Sequence, residues 1–326
     1  MFQTIIGAVS SFMYSKLLVI ILIGAGLYFT IRTRFPQVRL FERACESVME
    51  KPDDKEAISS FQALMVSTAS RVGTGNIVGV SSAICIGGFG SVFWMWVIAI
   101  IGSASALIES TLAQIYKKKG EDGKCYGGPA YYIEAALHCR PLAIVFCIAM
   151  ILTYAFGFNM LASYNLQSTF SGQPFYNAEI TPWIIGGILA LVTGWCLLGG
   201  GNRIVKVTST LVPFMGIVYI LISLLVVVLN IGQLPSVLAQ IFGEAFDFKA
   251  IFAGFAGSAM MQGIRRGLYS NEAGIGSAPN AAASAMVSHP VKQGLVQMLS
   301  VFIDTLLLCT ATAMMCLVSG VTPAKE

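Results

Sequence analysis

The sequence predicts an all-α integral membrane protein, and three observations predict it. The chain of 326 residues is 56% hydrophobic and only 11% charged, whereas a soluble domain carries about a quarter charged residues. Its apolar residues fall in eight long runs. Two of those runs are interrupted by short stretches of Gly, Thr, Ser, Asn and Glu, which weaken a helix at membrane depth.

A helix needs about 20 apolar residues to cross a bilayer. The eight candidate spans are roughly 15–33, 58–87, 91–116, 141–170, 182–198, 207–230, 252–288 and 295–319. The first lacks a basic segment followed by a small-residue cleavage site, so it is expected to stay in the mature protein. The second carries the stretch Gly73-Thr74-Gly75-Asn76, and the fifth is short. The seventh is long but broken by Ser270-Asn271-Glu272-Ala273-Gly274, with Pro279 suited to the first turn of a resumed helix. Four tryptophans, Trp94, Trp96, Trp183 and Trp195, sit near predicted helix ends and read as interfacial anchors.

The links between spans alternate in charge. Arg32, Arg34, Arg39, Arg43, Lys51 and Lys55 follow the first span; Lys117, Lys118, Lys119, Lys124 and Arg140 follow the third. Arg203 and Lys206 follow the fifth, and Lys292 follows the seventh. The other links hold one basic residue, Lys249. The excess of Lys and Arg marks the cytoplasmic side, so the N-terminus is expected outside; the expected location is the plasma membrane, as a multi-pass protein. The link 32–57 reads as an amphipathic helix on the cytoplasmic surface, its arginines helped by anionic headgroups.

Function classes narrow quickly. The eight cysteines are scattered without a C-x-x-C pair, and His138 and His289 are far apart, so no zinc site or disulfide framework is expected. The cysteines read instead as small buried hydrophobes. No nucleophile elbow, H-E-x-x-H or P-loop occurs, and GGFG at 87–90 and YGGP at 126–129 are glycine turns in links. An enzyme, an enzymatic cofactor and a nucleic-acid partner are not expected.

The breaks carry the chemistry. Irregular backbone inside a membrane is tolerated only where it is buried in protein or lines a watery cavity. Paired interrupted helices in corresponding halves point to the binding site of a secondary transporter. At Gly73–Asn76, free amides suit a carboxylate and free carbonyls suit a cation; a close-packing face of small residues is the alternative. Glu272 either contacts the ligand or belongs to an ion pair bracing the break, with Arg265, Arg266 or Arg71 as partner. Glu109 and Asp304 read either as a proton relay or as acceptors for a neighbouring helix or backbone break. Asn159, Ser163 and Asn165 lie partly on one face of the fourth span and are candidates to line a cavity.

Three long strings then become recognisable: ASRVGTGNIVGVSSAICIGGFGSVFWMWVIAIIGSASALIESTLAQIYK, YGGPAYYIE, and RRGLYSNEAGIGSAPNAAASAMVSHPVKQGLVQMLSVFIDTLLLCTAT. They resemble the alanine or glycine:cation symporter family from about residue 15 onward. The resemblance implies a leucine-transporter-like inverted-repeat fold in a single membrane domain, 1–326. It would comprise an extra helix at 15–33, a first five-helix repeat at 58–230 and an incomplete second repeat at 252–326.

By the same resemblance, Gly73, Thr74, Gly75, Asn76, Tyr269, Ser270 and Asn271 surround a small neutral amino acid, with Asn159 and Ala162 nearby. Val72 and Asn76 contribute to a sodium site. Independently of the resemblance, Glu272, Arg265, Arg266, Glu109 and Asp304 are expected to have structural or gating roles. Sodium is the coupling ion, with alanine or glycine the default substrate. Many family members have Gln near Ala162, so glutamine is an alternative, as is proton coupling. Family members continue for three more membrane helices, so transport by this chain alone is expected to be impaired. A non-transporting remnant or a partner-dependent subunit is the remaining alternative.

Overall fold

The computed structural model describes residues 17–50, 57–121, 125–246 and 258–320, together with residues 7, 9, 10, 12 and 13. Lys51, Lys55, Lys124, Lys249 and the segments 252–257 and 321–326 of the expected second repeat lie outside the described residues.

The first span is helix α1, Leu18–Arg32. The basic link then folds into a short α2, Pro36–Arg39, and an amphipathic α3, Phe41–Met49. Ala44 of α3 is buried against Leu107, Leu295 and Met298, which holds the link against the bundle. The second span is α4, Ser60–Arg71, then a π-helical turn, Gly75–Gly79, then α5, Val80–Gly87. Ser59 starts α4 with a reciprocal cap: its hydroxyl accepts from the Gln62 amide while the Gln62 side chain accepts from the Ser59 amide.

The third span is α6, Gly90–Ile115, preceded by the Gly88 turn at φ +80°. A small antiparallel ribbon follows, β1 Lys118–Lys119 pairing with β2 Cys125–Tyr126. Gly128, at φ +129°, turns the chain into α7, Pro129–Leu137. The fourth span is continuous through α8 (Arg140–Ile151), a π segment (Leu152–Phe158) and α9 (Asn159–Ser168). The fifth is α10, Thr181–Leu198, and the sixth is α11, Gly200–Leu229.

Helix α11 starts earlier than the apolar run suggests, so Arg203 and Lys206 are helical rather than in an open link. Arg203 turns back onto α10: it donates to the Trp195 carbonyl at 2.7 Å and lies over the Trp195 ring, 4.9 Å from its centroid. A cation at the carbonyl end of a helix offsets its dipole, and Gly200 at φ +69° lets the turn be this tight.

The link after α11 contains α12, Leu234–Ala245. It docks on the start of α6, where Glu244 accepts the Phe89 amide at 2.6 Å. Trp94 donates to the Ala245 carbonyl and Trp96 to the Thr310 hydroxyl, so these two tryptophans pack inside the bundle rather than serving only as interfacial anchors. Trp183 and Trp195 are exposed.

The broken seventh span is α13, Ala259–Asn271, then an irregular Glu272–Ser277, then α14, Ala278–Ser284, with Pro279 in its first turn. The eighth is α15 (Pro290–Val301), a π segment (Phe302–Cys309) and α16 (Thr310–Val318).

Among the described residues, five helices are long and apolar enough to cross a membrane: Gly90–Ile115, Arg140–Ser168, Thr181–Leu198, Gly200–Leu229 and Pro290–Val318. Leu18–Arg32 and Gly75–Gly87 are shorter apolar helices. The protein is therefore a multi-pass membrane protein built from helices.

Helix α6 is the central post. Glycines let neighbours approach it closely. A Cβ on Gly263 of α13 would strike the Ser91 carbonyl and Trp94, and one on Gly294 of α15 would strike Thr111 and the Leu107 carbonyl. Helices α8 to α11 instead present Trp183, Leu191, Leu198 and Leu229 outward, a surface that hydrocarbon solvates and water does not.

Candidate functional site

Each break has a local cause. Helix α4 stops at Arg71, and Val72 turns to extended backbone at ψ 105°. Gly73 donates its amide to the Asn76 side-chain oxygen at 3.1 Å, a local bond that competes with helix continuation. In the second break Glu272 adopts left-handed φ +49°, and Gly274 and Gly276 follow at +84° and +92°. Asn271 accepts from the Ala273 amide at 3.0 Å, closing the turn. Gly276 is obligatory in a second sense, because a Cβ there would meet Pro129 and Phe146.

The breaks meet across the bundle. A Cβ on Gly75 would come within 3.0 Å of the Tyr269 ring, so the ring lies directly on the first break. Tyr269 also packs edge-on against Phe158, centroids 5.9 Å apart. Deeper in, Asn76 donates to Asp304 Oδ1 at 2.7 Å and to Ser270 Oγ at 3.2 Å. Ser270 donates to Asp304 Oδ2 at 2.7 Å, and the Thr305 hydroxyl adds a third bond at 3.0 Å. Exposure is 2% for Asn76, 3% for Ser270 and 0% for Asp304. An ionised carboxylate so placed must be hydrogen-bonded, and here both oxygens are.

A second carboxylate closes the other side. Glu272 Oε2 accepts from Ser277 at 2.6 Å, Tyr154 at 2.9 Å and Ser70 at 3.1 Å. One oxygen thus joins α4, the fourth span and the second break. Glu109 of α6 accepts the Gly274 amide at 3.2 Å, satisfying backbone that the break leaves unpaired.

The arginines are placed differently from one another. Arg71 is 4% exposed, and its guanidinium makes no hydrogen bond to the described residues. It interacts electrostatically with Glu109 and Asp304. Arg265 and Arg266 line a cavity of about 300 Å³ with Gln262 and Tyr269, and Glu272 accepts from three hydroxyls.

Of the residues singled out in sequence, the structure brings Gly75, Asn76, Tyr269, Ser270, Glu272, Glu109 and Asp304 to the two breaks. Val72, Gly73 and Thr74 form the first break itself. Asn271 is fully buried beside Gly102 of α6. Asn159 and Ala162 are exposed on α9, and Asn159 donates to the Ala155 carbonyl of its own helix. The fourth span reaches the breaks one turn earlier, through Tyr154 and Phe158. Ser70, Ser277, Thr305 and Cys309 also belong to the site and were not singled out. Cys309 is the one buried cysteine among the eight, within 3.1 Å of the Ser270 hydroxyl. The other seven are exposed or half-buried, contrary to their reading as buried hydrophobes.

Three π segments supply Asn76, Tyr154 with Phe158, and Asp304 with Thr305 and Cys309. A π turn interrupts the regular backbone ladder and is frequent at functional sites. Gly, Ser and Asn clusters flag the first such turn; no comparable signal in the apolar runs flags the other two.

The family model described as the sodium:alanine symporter family matches residues 1–326. The chain is 47% identical over 326 residues to the amino-acid carrier protein AlsT of Bacillus subtilis, covering 100% of this chain and 69% of that protein. It is 46% identical over 319 residues to the "Probable sodium/glutamine symporter GlnT" of the same species, covering 97% and 66%. Identity to the sodium/alanine symporter AgcS of Methanococcus maripaludis is 37% over 322 residues, covering 98% and 71%. The chain spans about two thirds of the length of the curated relatives it matches, between 63% and 71%. On the extent of these matches, the chain belongs to the sodium:alanine symporter family, a family of transporters rather than enzymes.

Proposed function

We propose that this chain carries the substrate and cation sites of a sodium-coupled symporter for a small neutral amino acid. The observation that carries the reading is the meeting of the two interrupted helices, with Tyr269 lying on Gly75 and Asn76 bonded to both Ser270 and Asp304. Half-helix ends offer amides to a carboxylate and carbonyls to a cation. The amino acid's carboxylate is taken by the Gly73–Asn76 backbone and Thr74, and its body rests against Tyr269 and Asn271. Sodium is held near Val72 and Asn76, with oxygen ligands of the kind a hard cation prefers.

The proposed architecture is the leucine-transporter-like inverted repeat, with eight crossings in these residues and the N-terminus outside. The interrupted spans then cross as paired half-helices, which is why each half falls short of a full span. Alternating access follows from one repeat rocking against the other, with Glu109, Glu272, Arg265, Arg266 and Asp304 bracing or gating the breaks. Alanine and glycine are the default substrates. Glutamine is the second reading, favoured by the 46% identity to the relative named for glutamine.

Uptake of labelled alanine into proteoliposomes tests this. Even where uptake is impaired, an inward sodium gradient is expected to drive what accumulation there is and a potassium gradient is not, and excess unlabelled glycine or glutamine ranks the substrates by competition. Accumulation that ignores sodium and follows a pH gradient would replace sodium coupling with proton coupling. A protein that binds none of the three amino acids would remove the reading altogether.

A further inference from the structure

At the end of the bundle that carries the basic link, a cavity of about 410 Å³ lies away from the breaks. Its rim holds three guanidinium groups, Arg32, Arg34 and Arg39, and its floor is apolar, formed by Leu40, Leu107, Ile108 and Val291. The hydroxyls of Thr33 and Thr111 point elsewhere, donating to the Phe29 and Leu107 carbonyls of their own helices. Arg39 donates to the Thr33 carbonyl at 3.2 Å. Among the described residues, no carboxylate lies within ion-pair distance of Arg32, Arg34 or Arg39.

The backbone is bent to make this rim. Arg34 and Phe35 adopt left-handed φ values of +59° and +53° in succession, a conformation that non-glycine residues rarely take. Their turn carries the chain from α1 into α2 and sets all three arginines around one opening. Strain of this kind persists where surrounding structure over-determines it and clusters at ligand sites. Outside the cavity, Tyr28, Ile31, Phe35 and Val38 are strongly exposed, an apolar surround for a charged opening.

We propose that this cavity holds the headgroup phosphate of an anionic glycerophospholipid. Guanidinium groups match phosphate oxygens in geometry and charge, and basic pockets between membrane helices at the cytoplasmic face recognise anionic headgroups. The apolar floor takes the glycerol and the start of an acyl chain, and the exposed Tyr28, Ile31 and Phe35 continue that path into the bilayer. A free inorganic phosphate has no use for the floor or the surround, so the occupant is the lipid.

Native mass spectrometry of the delipidated protein, titrated with phosphatidylglycerol and phosphatidylcholine of identical chains, tests the assignment. Phosphatidylglycerol is expected to be retained about tenfold or more over phosphatidylcholine. The double variant Arg32→Gln/Arg34→Gln brings retention down to the phosphatidylcholine level. Arg140→Gln, outside the cavity, leaves it unchanged. Inorganic phosphate in large excess over the lipid displaces little. Equal retention of the two lipids by the unaltered protein overturns the proposal whether or not the variants fold. So does full displacement by inorganic phosphate, or an equal loss in Arg140→Gln.

Discussion

Asn76 in the first helix break and Asp304 on the eighth span are 228 residues apart in sequence and joined by a 2.7 Å hydrogen bond. Asp304 also accepts from Ser270 and Thr305, so one buried carboxylate fastens both breaks. Asp304→Ala strands three donors in a dry interior, at about 1–3 kcal/mol for each that finds no new partner. The variant is expected to melt well below the parent and to lose uptake. Asp304→Asn keeps the shape but not the charge, so it retains more thermal stability while needing more sodium for half-maximal uptake. Unchanged sodium dependence in Asp304→Asn would show that the carboxylate serves the fold alone.

Glu272 collects three hydroxyls on one oxygen, from Ser70, Tyr154 and Ser277. Only the Tyr154 bond reaches the fourth span. Tyr154→Phe removes a single donor and leaves an acceptor still bonded twice, so its cost to stability is about 1 kcal/mol. Its effect on transport is expected to be larger, because the bond ties the second break to a different helix. A several-fold fall in kcat with little change in melting temperature, measured on the same preparation, would fit this. Parallel losses in both would make the bond merely structural.

The breaks were legible in the sequence because Gly73-Thr74-Gly75-Asn76 and Ser270-Asn271-Glu272 are polar words in apolar text. The partners were not. Tyr154, Phe158, Thr305 and Cys309 belong to runs that read as ordinary membrane helix, and proximity to the breaks depends on packing between distant spans. Asn159 and Ala162 illustrate the limit. Helical spacing put Asn159 near the site and the family resemblance put Ala162 there, yet both are exposed on α9 and Tyr154 and Phe158 reach the second break. The three hydroxyls on Glu272 were equally invisible in the sequence, because Ser70, Tyr154 and Ser277 come from three separate segments.

Gly75 meets the Tyr269 ring where a Cβ would stand 3.0 Å away. Gly75→Ala forces the ring back by a few tenths of an ångström. If the ring lies against the amino acid, the variant raises KM for alanine more than it lowers kcat. Competition by a larger substrate such as glutamine then weakens more steeply than competition by glycine. Identical losses for all three substrates would place the ring away from the bound side chain.

Glu50 bonds Lys292 at 2.7 Å and Ser288 at 3.0 Å, fastening the end of α3 to the start of α15. The Lys292 bond and charge, with the Ser288 hydroxyl, hold the Glu50 carboxyl below its ordinary value of 4.5. A depressed carboxyl contributes stability that is present above its unfolded value and lost as pH falls through its folded value. Both groups are partly exposed, so the effect is modest and screened by salt. Melting curves of the parent and Glu50→Gln should therefore differ slightly at neutral pH and converge as pH falls below 4.5 and through the lowered folded value. A gap that persists at lower pH would assign the difference to packing instead.

Gly263 and Gly216 separate packing from backbone freedom. A Cβ on Gly263 would strike the Ser91 carbonyl and Trp94. Backbone cannot yield as a side-chain tip can, so Gly263→Ala is expected to cost about 1–3 kcal/mol or more by pushing α13 off α6. At Gly216, within α11, nothing lies within 4 Å of the added carbon. There alanine only removes the entropy of a helical glycine, a gain of roughly 0.5–1 kcal/mol. Thermal melts of the two variants in one detergent should move in opposite directions. Two shifts of the same sign would mean that the close approach of α13 to α6 does not hold in the membrane protein as purified.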